Sequence, residues 1–234
     1  SWTYDPVSAT VRTKWDLTLD GGGKSMLQGW LPHHYREGKS DTVYDGPVYS
    51  TPRGKMRCAS GTSFQFAFRF AGIVPALPSP ADGSGFDKER MTGYLTDFTE
   101  KWKYGGDTYW GGKDLLRAGQ CLNIATATGK TAIADSLREK LHSALADWFT
   151  YTPGEPEHYF ARYSRWKALI GFNDSYGSFQ FTDNHFHYGY FTMASALLAL
   201  QDPEFLPEFG PMATLVAKQY ANWDRDDREF PFLR

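Results

Sequence analysis

The sequence predicts an α+β protein of more than one domain, with strands in residues 1–71 and helices in residues 86–234. Two observations predict this order. Clear alternation of apolar and polar residues, which is typical of half-buried strands, occurs before residue 72. Apolar spacings of three and four residues, which are typical of helices, occur after residue 85. Because the strands precede the helices, the order argues against an alternating α/β sheet.

Two alternating stretches carry the strand prediction. In VRTKWDLTL, residues 11–19, the apolar side chains share one parity. In TSFQFAFRF, residues 62–70, every second residue is Phe, so one face must be buried against something large. The turn Gly21–Gly23 precedes a third apolar run that ends at Trp30.

Helices are predicted after a linker. Residues 72–85 are rich in Pro, Gly and Ser and form the predicted linker. Residues 113–128 and 131–149 show helical spacing, with Gly129 between them and Thr131 where an N-cap would lie. Residues 190–200 are apolar on nearly every side, and a last helix runs through Met212 to Trp223.

The composition excludes several function classes. The net charge is −2, with no long basic run, which argues against nucleic acid or an anionic membrane as the main partner. No apolar stretch reaches the roughly 18–20 residues that span a bilayer. Aromatic residues make up 17% of the chain, a surplus that suits stacking on sugar faces as well as core packing. Cys58 and Cys121 allow at most one disulfide; separate buried thiols are the favoured state, and the sequence leaves their pairing open.

The stretch FTDNHFHYGYF, residues 181–191, is the main candidate site. In an extended chain Asp183, His185 and His187 would face one side, whereas in a helix only Asp183 and His187 would. Three interpretations stay open on these residues alone. They could hold a divalent metal, they could be satisfied core residues, or Asp183 could be a general acid. In the last case Phe181, Phe186 and Tyr188 would desolvate Asp183 and favour its protonated form.

Two other segments carry polar and aromatic residues together. GGDTYWGGKDLL, residues 105–116, lacks the glycine spacing of a phosphate-binding loop and predicts a glycine-rich turn entering a helix. WLPHHYR, residues 30–36, places two imidazoles beside a proline at a predicted strand end. Such clusters are commonly structural, but this one could also line a groove.

Six segments in order along the chain resemble those of glycoside hydrolase family 81, the endo-β-1,3-glucanases. These segments are WLPHHYR, GIVPALP, TYWGGKDL, LIGFNDSYGS, DNHFHYGYF and WDRDDREFPFLR. The resemblance implies a β-sandwich ending in residues 1–71 and a helical region, 86–234, that forms part of an (α/α)6 toroid. It also implies inverting hydrolysis of internal bonds in laminarin-, callose- or curdlan-like glucans.

The resemblance assigns roles to individual residues. Asp183 matches the family's general acid, and His187 and Tyr190 match positions that line the pocket of the acid. The remaining residues expected to bind substrate lie in the matched segments: His33, His34, Asp107, Trp110, His185 and Tyr188. Asn184 departs from the family's commoner histidine. No cofactor or metal is implied.

The family's general base is a Glu in a Ser-rich segment that these 234 residues do not contain, so an internal fragment is expected. The expected protein is extracellular and monomeric, and it binds glucan but neither nucleic acid nor membrane. Two alternatives remain open. One is a non-catalytic glucan-binding module, and the other is a metal-dependent hydrolase that uses Asp183, His185 and His187.

Overall fold

A computed structural model describes residues 1–36, 38–72, 84–222 and 224–230. The chain divides into two compact units, Ser1–Val74 and Pro75–Arg234. Most of the predicted linker, residues 73–83, lies outside the described residues, as do Trp223 and residues 231–234. The first unit is built mainly of strands and the second mainly of helices, so the α+β class is confirmed.

The described residues of the first unit form two antiparallel sheets of three strands each. One has the order β1 (Trp2–Asp5), β2 (Thr10–Asp16) and β6 (Ser63–Arg69), and the other has the order β3 (Met26–Trp30), β5 (Gly54–Gly61) and β4 (Val48–Thr51). A single helical turn, α1 (Pro32–Tyr35), follows β3.

An aromatic cluster joins the two sheets of this unit. The ring of Trp30 on β3 lies 5.1 Å from Phe64 and 4.6 Å from Phe66 on β6, measured between centroids. The alternating Phe residues therefore bury one face, as the sequence predicts. The burial stops short of the strand end, because Phe68 and Phe70 are exposed.

The second unit contains five α-helices among its described residues: α2 (Lys88–Lys101), α3 (Trp110–Ala127), α4 (Thr131–Phe149), α5 (Asn184–Ala199) and α6 (Phe205–Ala221). The apolar stripe of α4 provides fully buried residues, among them Leu137, Leu141, Leu145 and Trp148, and these join the core formed with α3 and α5. The N-cap position of α4 is Lys130 and not Thr131, with no side-chain cap.

A β-hairpin that the sequence patterns do not predict interrupts the helical region, residues 86–234. Strands β7 (Tyr159–Tyr163) and β8 (Ala168–Phe172) pair antiparallel between α4 and α5. The outward edge of β8 contacts side chains of α5 and α6. The Tyr188 hydroxyl donates to Leu169 O and accepts from Gly171 N, and Leu169 N donates to Gln219 Oε1. These bonds fix the hairpin to the helices.

Candidate active site

The candidate site lies at the N-terminus of α5. Asp183 occupies the N-cap position in the left-handed region, at φ 55°, and Phe181 lies there as well, at φ 62°. The backbone carbonyl of Asp183 accepts from the amides of Phe186 and His187. Its carboxylate makes no cap hydrogen bond to the helix and is exposed. The left-handed conformation costs a non-glycine residue roughly 1–3 kcal/mol, so it persists only where the surrounding structure holds it. Such residues cluster at functional sites.

The expected desolvation of Asp183 by neighbouring rings is wrong. Phe181 and Phe186 are themselves exposed, and Tyr188 points into the core with 0% of its surface accessible. The helix explains this outcome, because Tyr188 lies five residues after Asp183 and belongs to the buried face of α5. Burial raises the pKa of Tyr188 to about 12. Tyr188 therefore holds β8 in place and cannot present a face to a sugar.

His187 is the buried centre of the site. Its side chain is 0% exposed, and its Nδ1 lies 2.8 Å from the hydroxyl of Thr108, which is also 0% exposed. Its Nε2 has no hydrogen-bond partner. Burial lowers the pKa of His187, and the charges of Asp107, Asp183 and Asp174 oppose that effect. His187 is therefore a buried group that packs behind the start of α5, and its ring is not exposed to a ligand.

Two further carboxylates act on His187 and are fixed by backbone amides. Asp107 Oδ1 accepts from the amides of Tyr109 and Trp110, at 2.8 Å each, at the start of α3. Asp174 Oδ1 accepts from the Ser178 hydroxyl and from the Phe179 amide, at 2.9 Å each. Oδ1 of Asp107 therefore stabilises its own loop, whereas Oδ2 makes no hydrogen bond to these two amides.

The ring of Tyr109 packs against His187 and carries three further aromatic rings around it. Tyr109 lies 5.3 Å from the His187 ring and contacts Tyr176, Tyr190 and Trp110 at centroid distances of 4.7, 5.9 and 5.1 Å. Trp110 and Tyr176 expose 49% and 60% of their surfaces, so they offer ring area to a ligand. Burial and a hydrogen bond with Tyr109 raise the pKa of Tyr190.

The structure thus brings together Asp183, Asp107, Trp110, His187 and Tyr190 from the predicted set. His185 is exposed and stacks on Phe186 at 4.2 Å. His33 and His34 belong to the first unit and stay predictions as substrate contacts.

Sequence reasoning missed four members of the site: Thr108, Tyr109, Asp174 and Tyr176. Thr108, Tyr109 and Asp174 stand inside the motif segments quoted for the family resemblance, and Tyr176 belongs to the segment LIGFNDSYGS as well. The spacing of these residues gave no signal by itself.

The ligand set proposed for a metal is not assembled. Because α5 begins at Asn184, His185 points away from the side shared by Asp183 and His187. Within residues 1–36, 38–72, 84–222 and 224–230, no group of three or more His, Cys, Asp or Glu side chains is arranged to hold an ion. Both cysteines are free thiols.

The C-terminal domain of glycosyl hydrolase family 81 matches residues 92–234 of the chain. The chain belongs to glycosyl hydrolase family 81. It is 37% identical to a glucan endo-1,3-β-D-glucosidase of Acetivibrio thermocellus and 36% identical to one of Thermobifida fusca, in both cases over 100% of its length.

The fold of the chain is likewise that of the family. A family 81 glycoside hydrolase of Clostridium thermocellum, solved in a mutant form, superposes with a TM-score of 0.77 at 36% identity, covering 100% of this chain and 33% of that one. The chain spans 31% of the length of each of the two bacterial relatives. A primary septum glucan endo-1,3-β-D-glucosidase of Schizosaccharomyces pombe is 27% identical over 86% of the chain and 22% of its own length.

Proposed function

We propose that the complete protein containing this chain is an endo-acting glycoside hydrolase that cleaves internal β-1,3-glucosidic bonds in glucans with inversion. The observation that carries the proposal is the Asp183 carboxylate, which lies exposed and uncapped at the N-terminus of α5. His187 on the same helix packs against Tyr109, which contacts the exposed rings of Trp110 and Tyr176. The names of the family 81 relatives support the same activity.

In this mechanism Asp183 is the general acid that protonates the departing glycosidic oxygen. A Glu outside the 234 residues activates water on the opposite face of the sugar. Inverting enzymes hold the two carboxyl groups about 6.5–9.5 Å apart, so that the water fits between base and sugar. The described neighbours leave Asp183 exposed, so its desolvation must come from bound glucan and from other parts of the protein.

The supporting residues have separate tasks in this proposal. His187, held by Thr108, keeps the helix start and the α3 loop together, and Trp110 with Tyr176 stacks on glucose units. The proposed setting is an (α/α)6 toroid in an extracellular, monomeric protein that needs no cofactor. None of the helices in the described ranges is long and apolar enough to cross a membrane.

The direct test is Asp183→Asn in the complete protein. General acid–base catalysis contributes about 10²- to 10⁴-fold per group, so the release of reducing ends from laminarin should fall by that factor while glucan binding persists. Asp97→Asn, an exposed carboxylate on α2, is the matched control and should keep full activity. Retention of most activity by Asp183→Asn would refute the assignment.

The stereochemistry and the base are tested separately. Proton NMR of the first products should show the α-anomer from a β-linked substrate, and the β-anomer would rule out inversion. The 234-residue chain alone should be weakly active or inactive. Robust hydrolysis by it would place the base within the chain, for example at Glu229 or Asp224. Binding without any cleavage by the complete protein would favour the non-catalytic glucan-binding module.

A further inference from the structure

An open cavity of about 400 Å³ lies beside the N-terminus of α5, and all its lining residues belong to the second unit. Its walls come from the turn between β7 and β8 (Trp166 and Lys167), from the start of α5 (Asn184 and His185), from Phe181, and from Gln219 on α6. Small-molecule sites commonly measure about 300–1,000 Å³, so this cavity is large enough for a sugar unit.

One buried side chain in this cavity lacks every hydrogen-bond partner. Asn184 is 7% exposed, yet neither its Nδ2 nor its Oδ1 is hydrogen bonded. Buried amides in folded proteins are nearly always paired, and an unpaired one costs free energy. Asn123 on α3 shows the usual state at the same 7% exposure, since its Nδ2 donates to Gly119 O at 2.9 Å. The Asn184 amide is therefore available to a ligand.

The chemistry of the amide indicates what that ligand is. Asn184 offers one acceptor and two donors, so the ligand must both donate and accept hydrogen bonds. Adjacent hydroxyl groups of a pyranose do both, whereas a phosphate or carboxylate would leave the amide oxygen unpaired. The cavity also has aromatic walls, because Trp166 and Phe181 expose 66% and 45% of their surfaces. Such rings suit the apolar face of a pyranose.

We propose that this cavity is a subsite for one pyranose unit of the glucan, lined by Phe181, Asn184 and His185, which flank Asp183 in the chain. The Asn184 amide binds a pair of neighbouring hydroxyls on that unit, and Trp166 covers one face of the ring. This inference rests on the proposed glucanase function and adds to it a specific binding residue that the acid mechanism does not itself require.

The test uses the complete protein with Asp183→Asn as background, so that substrate is bound but not turned over. Isothermal titration with a β-1,3-linked glucose hexasaccharide measures affinity, and differential scanning calorimetry measures the melting temperature. Asn184→Leu, which is close in shape but apolar, should weaken affinity by about tenfold or more through the loss of two hydrogen bonds. Its melting temperature should stay the same or rise, because an unpaired buried amide has been removed.

Asn123→Leu is the matched control, since that amide is equally buried but already paired. It should lower the melting temperature and leave the affinity unchanged. Trp166→Ala alters an exposed ring, so it should fold normally and weaken binding by about two- to tenfold. If Asn184→Leu fails to fold, the hexasaccharide affinity of Trp166→Ala still tests the proposal.

Two outcomes would overturn the proposal while leaving the glucanase function intact. One is unchanged hexasaccharide affinity in Asn184→Leu or, should that variant not fold, in Trp166→Ala. The other is binding of inorganic phosphate that is lost in Asn184→Leu without an effect on the hexasaccharide, which would assign the cavity to an anion. If the protein without any substitution neither binds nor cleaves β-1,3-glucan, the proposed function itself fails and the subsite fails with it.

Discussion

Thr108→Val tests whether the buried pair behind Asp183 holds the site together. Valine has nearly the shape of threonine, so the change removes the hydroxyl that lies 2.8 Å from His187 Nδ1 without opening a cavity. Both side chains are fully buried, and water cannot replace the lost partner. An unsatisfied buried group costs about 1–3 kcal/mol, so we expect a loss of about 2 kcal/mol in the free energy of unfolding.

Urea denaturation followed by circular dichroism at 222 nm is the suitable assay, because the long helices all lie in the second unit. Thr108→Ser keeps the hydroxyl and is the control. A double-mutant cycle with His187→Leu should give a coupling free energy of about 1–2 kcal/mol, since replacing both partners removes the unsatisfied group. A Thr108→Val loss below about 0.5 kcal/mol, or additive effects in the cycle, would refute the reasoning.

Three further predictions concern the same region. Gly111→Ala should lower the free energy of unfolding by about 1–3 kcal/mol, because a Cβ would lie 2.4 Å from Gly105 O. The control is Gly93→Ala, in an open position on α2, which should raise the free energy of unfolding by about 0.5–1 kcal/mol. Equal changes in the two variants would contradict the packing argument. Burial lowers the pKa of His187 below its usual 6.5, so the unfolded state binds the proton first and stability should decrease as the pH falls below 6.5. Urea denaturation at pH values above and below 6.5 should show a smaller loss of stability at low pH in His187→Gln than in the unsubstituted protein. An equal loss in both proteins would show that His187 is not the group responsible. A chelator should leave glucan hydrolysis unchanged, whereas a loss that zinc restores would favour the metal-dependent alternative.

Local sequence patterns predicted the range of some helices closely, predicted only part of others, and missed the β-hairpin. Helix α4 spans Thr131–Phe149, the range in which apolar residues recur at helical spacing after Gly129, although its N-cap lies one residue before the predicted Thr131. Helix α5 begins at Asn184, six residues before the apolar run that predicts it. Its first turns carry polar and aromatic residues whose spacing fits a strand as well as a helix. The hairpin was missed because its two strands are short and the turn between them lacks the usual Asn-Gly or Asp-Gly pair.

The site shows where sequence reasoning reaches its limit. The motif predicts Asp183 as the candidate acid, but whether that side chain is buried depends on packing between distant segments, which no local pattern specifies. Tyr188 illustrates the difficulty. In the sequence it is one of several rings near the acid, whereas in the fold its hydroxyl is bonded to the backbone of β8. The partner of His187 is equally non-local, because Thr108 lies 79 residues away.

The bonds that Tyr188 and Gln219 make to β8 have a consequence for association between molecules. A two-stranded sheet ordinarily leaves unpaired amides and carbonyls on its outer border, where a strand from another chain can add. Here the outward groups at Leu169 and Gly171 are already occupied by side chains. Because Tyr188 is fully buried and β8 itself is buried beneath α5 and α6, this border is also out of reach of a strand from another chain.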